Sequence, residues 1–157
     1  MDPPRDEATA YHEAAHAVMA LALGRPVAGV SILPGREFLG ACAFGKAVFR
    51  PSEDWLEREI LIALAGAAAE ARRTGAYAWD AAARDRTYAE GLALQRAGAA
   101  RQAQRLLRRM LSKAEHLLGR EGAWRAVERL AAELMRLGEI SGRTARHLYE
   151  ECQRGPR

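Results

Sequence analysis

Cysteine is almost missing from this chain: Cys42 and Cys152 are the only two in 157 residues, and they lie far apart in unlike contexts. Two such thiols do not make a disulfide framework, so the sequence predicts reduced cysteines and excludes a small cross-linked scaffold. Lysine is also scarce, since Lys46 and Lys113 stand alone among 24 basic residues. Long apolar runs are lacking. Ala14–Gly24, which is interrupted by His16, and Ile60–Ala69 fall well short of the ~20 residues that span a bilayer. Met1–Glu7 is acidic and proline-bearing rather than basic, so no secretory signal is predicted and a cytoplasmic location is expected. No Gly-x-x-x-x-Gly-Lys-Ser/Thr stretch occurs, which excludes a phosphate-binding loop of that kind from this chain.

What remains is the composition of one helical domain spanning residues 1–157. Hydrophobic residues make up 49% and charged residues 28%, enough apolar material for a core and too much for global disorder. The net charge is +4, but acidic residues are interspersed with basic ones almost throughout. The cluster Arg101, Arg105, Arg108 and Arg109 therefore reads as a solvated helix face. Trp55, Trp79 and Trp124 are too scattered for a base-stacking platform, so a nucleic-acid partner is not predicted.

The pattern predicts a mainly α chain (α+β) with a small β-hairpin or sheet. A first helix is expected from about Asp6 to Leu23, preceded by Pro3 and Pro4 and stopped by Gly24 and Pro26. Val27–Leu33 and Ala41–Phe49 read as two strands flanking the turn material Pro34–Glu37. Ser52 and Glu53 are expected to open a helix carrying Leu56, Ile60, Ala63, Leu64, Ala67 and Ala71 on one face, broken around Gly75–Asp80. Further helices are predicted from Asp85 to about Ala97, through Leu106–Leu118, through Trp124–Leu137, and from Ser141 to near Cys152, with Gly138 ending the third of these. Residues 6–97 would form a metal-site half and 98–152 a C-terminal helical part.

One segment carries chemistry: Tyr11-His12-Glu13-Ala14-Ala15-His16. Four residues apart on a helix, His12 and His16 project from one face and can grip one metal ion. Glu13 lies about 100° around the axis, close enough to reach a metal-activated water without itself being a ligand. This is the His-Glu-x-x-His arrangement of zinc hydrolases, in which Zn²⁺ acidifies a water and a carboxylate shuttles its proton. Two imidazoles and a carboxylate inside an otherwise apolar helix would be costly to bury without such partners. A third ligand is required, and Glu70, Asp80 and Asp85 are the candidates on spacing alone. Glu70 could equally orient a histidine, Asp80 could be a turn residue, and Asp85 a helix-start carboxylate. His116, His147, Cys42 and Cys152 read as ordinary residues of their elements.

Tyr11-His12-Glu13-Ala14-Ala15-His16-Ala17-Val18 resembles the active-site helix of the FtsH-type zinc peptidase family (peptidase M41). Val30-Ser31-Ile32-Leu33-Pro34-Gly35-Arg36 with Leu39-Gly40, Leu64-Ala65-Gly66-Ala67-Ala68-Ala69-Glu70, Leu130-Ala131-x-x-Leu134 and Ile140-Ser141-Gly142 are similar to its later segments in the same order. The likeness covers roughly Thr9 to Glu150. It implies an FtsH-peptidase-like helical domain with a sheet beside the active-site helix, and peptide-bond hydrolysis with Glu13 as general base. The family's third ligand is an aspartate followed by alanines four and eight residues on. Asp85 fits, with Ala89 and Ala93, whereas Asp80 comes too early; Glu70 would support the site.

The chain departs from the family at Ala15 and Ala67, around Thr74-Gly75-Ala76, and in having no ATPase module. The resemblance therefore implies a free-standing domain acting on peptides or unfolded proteins, or one that borrows a separate ATPase partner. It also implies self-association into homo-oligomers. An extended peptide is expected to add as a strand along Val27–Leu33 or Ala41–Phe49. The alternative is a non-catalytic, zinc-stabilised module that binds peptides or a partner protein.

Overall fold

The computed structural model describes residues 6–33, 41–44 and 54–155, the second of these segments as backbone. Its elements are α1 (Glu7–Ala22), β1 (Val27–Ser31), β2 (Ala41–Phe44), α2 (Trp55–Thr74), α3 (Ala83–Ala97), α4 (Ala100–Leu118), α5 (Glu121–Leu137), β3 (Glu139–Ser141) and α6 (Gly142–Gln153). The chain is thus mainly helical with one small antiparallel sheet. No helix among the described residues is long and apolar enough to cross a membrane.

Helix α1 starts where an acidic side chain can answer its free amides. The Asp6 carboxylate accepts from the Ala8 amide at 3.0 Å and from the Thr9 hydroxyl at 2.8 Å. The helix occupies the centre of the molecule, flanked by α2 and α5 and packed against the sheet, while α3 and α4 build outward from α2. Ala10, Ala14, Ala15, Ala17 and Ala20 are all fully buried. Small side chains let neighbouring helices approach closely, which accounts for alanine where a surface helix would carry leucine. The middle of α2 repeats the device with Ala65, Gly66, Ala67, Ala68 and Ala69. Ala15 and Ala67 are both buried.

The Asp54 carboxylate caps α2 through the Glu57 amide at 3.1 Å. The expected start at Ser52 and Glu53 lies outside the described residues, as do the turn Pro34–Glu37, the end of the second strand run, and the Leu39-Gly40 match. Nothing is described of the Cys42 side chain. Gly75 ends α2 and Gly138 ends α5, both in the left-handed conformation, and the Ser141 hydroxyl caps α6 through the Thr144 amide. Cys152 is a free, buried thiol.

The sheet has the order β2-β1-β3, both pairings antiparallel, with Val30 opposite Cys42 on one side and Ile140 on the other. Strand β3 was not foreseen, because three residues between two helices are too few for alternation to register. Its presence corrects the expectation that a peptide adds along Val27–Leu33: both sides of β1 are already paired. Among the described strands the edges belong to β2 and β3. The first turn of α6 lies so close to β1 that a β-carbon on Gly142 would stand 1.8 Å from the Val27 carbonyl oxygen, so this position is closed to any side chain.

Candidate metal centre

The site is built where α1 crosses α2 and meets the first turn of α3. His12 and His16, one helical turn apart, stack edge to face with ring centroids 4.7 Å apart and an interplanar angle of 78°. Both Nε2 atoms converge on one oxygen. Asp85 Oδ2 stands 2.8 Å from His12 Nε2 and 3.1 Å from His16 Nε2. Ligand atoms of His12, Glu13 and His16 lie within 4.8 Å of one another, a grouping that could hold a metal ion.

The opposite ring nitrogens are committed elsewhere. His16 Nδ1 sits 2.6 Å from the Ile62 carbonyl oxygen, which can only accept, so Nδ1 carries the hydrogen. His12 Nδ1 faces Glu70 Oε1 at 3.5 Å, which favours the same tautomer. A neutral imidazole fixed in this way turns a lone pair at Nε2 toward Asp85. Two such lone pairs and a carboxylate oxygen at one point repel one another unless protons or a cation lie between them.

Protons shared among these groups relieve that repulsion. Burial opposes charge on His12, but hydrogen bonds to Asp85 and Glu70, with Glu13 and Asp85 nearby, push its pKa up to about 10. Burial would raise the Asp85 carboxyl, yet its hydrogen bonds to His12 and His16 hold it well below the usual carboxylate range. Glu13 is pushed up, first by burial, against the pull of the two imidazoles. Glu13, at 9% exposure, and His16, at 7%, are both buried; among the described residues the other buried carboxylate is Glu59.

The four residues His12, Glu13, His16 and Asp85 are therefore brought together, with Glu70 behind His12. Asp80 is not: it lies in an exposed turn ahead of α3. His116 and His147 are exposed on distant helices, His147 pairing with Glu151 at 2.9 Å. Arg105 and Arg109 line a groove of about 340 Å³ with Arg96 and Glu57, away from the histidines. Two features escaped sequence reasoning. The Ile62 carbonyl cannot be read from residue type at all. Gly66 could have been: a β-carbon there would stand 2.5 Å from His12 Cε1 and Nε2, and a glycine amid six alanines of one helix was the visible signal.

Comparison with known protein families matches no family model, and comparison with curated proteins yields no match.

Proposed function

We propose that the chain is a zinc-dependent metallopeptidase of the FtsH type, hydrolysing peptide bonds of small peptides or unfolded proteins. The observation that carries this reading is the convergence of His12 Nε2, His16 Nε2 and Asp85 Oδ2, with both Nδ1 atoms already committed and Glu13 alongside. Two imidazoles and one carboxylate suit the borderline-soft Zn²⁺ and leave a fourth position open. The 2.8 and 3.1 Å separations of Asp85 Oδ2 from the two Nε2 atoms bring three donors of the kinds zinc takes to one point.

His12, His16 and Asp85 would hold the ion, which when bound acidifies water and polarises the scissile carbonyl. Glu13 removes the proton from the attacking water and returns it to the leaving amine. Burial helps by raising its carboxyl toward the pH at which a base of this kind works best. Glu70 and the Ile62 carbonyl hold the two imidazoles in the tautomer that offers Nε2. The outer strand β2 is the strand to which an extended substrate would pair, bringing its carbonyl toward α1.

Metal analysis of the purified protein, with peptide and unfolded-casein assays on wild type and Glu13→Gln, tests the reading. One zinc per chain and cleavage abolished in Glu13→Gln are expected. Zinc without cleavage across a peptide library, together with binding of extended peptides, would replace the enzyme by a zinc-stabilised binding module. Absence of zinc would end both.

A further inference from the structure

Asp85 approaches the histidines from a first turn of α3 that buries no side chain. From Ala83 to Tyr88 no residue of α3 is buried; Ala89 is the first. Ala82, at the cap position, makes no side-chain hydrogen bond to the free amides. Its own amide is tied to the carbonyls of Ala78 and Trp79 at 3.3 and 3.1 Å, so the loop before α3 governs where the helix begins. The buried residues of α3 are Ala89, Leu92 and Ala93, one turn or more beyond Asp85.

That loop is itself fastened at its far side. The Tyr77 hydroxyl donates to the Glu115 carboxylate of α4. Tyr77 stacks on Trp79 with centroids 4.9 Å apart and planes within 7°. The Arg86 guanidinium, next in sequence to Asp85, lies over the Trp79 ring at 5.3 Å, and its Nε is held by Glu90 at 2.9 Å. The connection runs without a gap from α4 through two stacked rings to the turn of α3 that bears Asp85. Neither the rings nor Glu115 touches the histidines.

We infer that Tyr77, Trp79 and Glu115 are positioning residues for the metal centre, a clasp that sets the Asp85 carboxylate against His12 and His16. The inference rests on the zinc reading above and assigns that site its control from α4. Loss of the Tyr77 hydroxyl leaves the stack in place but releases it from α4. Loss of the Trp79 ring removes the contact between the loop and Arg86, leaving Arg86 paired with Glu90 of its own helix. In either case Asp85 keeps its chemistry and loses its fixed approach, and the metal is held by two ligands and a mobile third.

The test measures zinc affinity of the full chain by chelator competition, and the visible absorption of its cobalt form, for wild type, Tyr77→Phe, Trp79→Leu, Glu115→Ala, Glu115→Gln and Leu148→Ala. Tyr77→Phe, Trp79→Leu and Glu115→Ala are expected to weaken zinc about tenfold, the size usual for partners outside the ligand set. Their cobalt bands should lose intensity as the tetrahedral set loosens. Glu115→Gln keeps an acceptor oxygen and should stay within about twofold of wild type. Leu148→Ala lowers stability by opening the buried core far from the clasp and should leave affinity unchanged. Wild-type affinity in the three clasp variants, or equal weakening in Leu148→Ala, would overturn the clasp alone. A wild-type protein that binds no zinc would overturn it together with the reading beneath it.

Discussion

The His12 ring fills the space that a β-carbon on Gly66 would need: Cε1 and Nε2 would each be 2.5 Å from it. Mid-helix glycine costs about 1 kcal/mol relative to alanine, so propensity alone would favour replacement. Here the ring cannot yield without leaving Asp85. Gly66→Ala is expected to lower zinc affinity at least tenfold and to destabilise the metal-free protein as well, by about 1 kcal/mol or more, because the displaced ring gives up its Asp85 contact. Chelator competition and urea titration of the two proteins measure both quantities.

Removal of a ligand should separate the three carboxylates that spacing alone left open. Asp85→Ala is expected to weaken zinc by more than about a hundredfold, beyond what partners outside the ligand set are worth. Glu70→Ala should cost about tenfold through His12, and Asp80→Ala nothing. Metal content after dialysis against graded chelator distinguishes the three.

The pH dependence of stability should change sign with the metal. In the ion-free protein the His12 pKa is raised from its ordinary 6.5 to about 10, so its contribution is complete below 6.5 and is lost as pH climbs through 10. Glu13, also raised, works in the same direction, because its buried charge becomes costly once it ionises. Asp85 is lowered, so its contribution is present above its ordinary 3.8 and fades only in strong acid. Metal-free protein should therefore lose stability between pH 7 and 10. With zinc in excess, stability should rise with pH across the acid-to-neutral range, because protons compete with the ion for the same nitrogens. Denaturant midpoints from pH 5 to 10, with and without zinc, check both slopes.

Gly142→Ala tests the fold independently of any ligand. Its new β-carbon would collide with the Val27 carbonyl oxygen at 1.8 Å, backbone against backbone, with no flexible side chain to give way. A loss of about 3 kcal/mol or more is expected, at or above the upper end of the range for single substitutions. Urea unfolding followed by circular dichroism measures it.

Much of this architecture was legible because it is local. Asp6, Gly24, Gly75, Gly138 and Ser141 mark helix ends by chemistry that acts within a few residues, and the structure places the ends there. The strand runs Val27–Leu33 and Ala41–Phe49 were visible as β-branched and aromatic clusters, though β1 itself stops at Ser31. The unread part is non-local. Strand β3 exists because β1 supplies a partner more than a hundred residues away, and Glu139–Ser141 alone carries no such information. At the site, the i,i+4 geometry of His12 and His16 was fixed by helical period. Which carboxylate meets them depends on how α3 packs on α2, which spacing could not decide. Only the family resemblance singled out Asp85, and in the structure its oxygen is the one the two rings face.

The donors from the first helix and the carboxylate of Asp85 are 69 to 73 positions apart along the chain. An ion seated between them would act as a removable rivet, offsetting the entropic cost of closing a long loop that is otherwise joined here by the two hydrogen bonds of Asp85. Stripping the ion should therefore make the bend from Gly75 to Ala82 more open to a protease than it is in the loaded protein, so that occupancy of the centre can be read from the rate at which the backbone is nicked there.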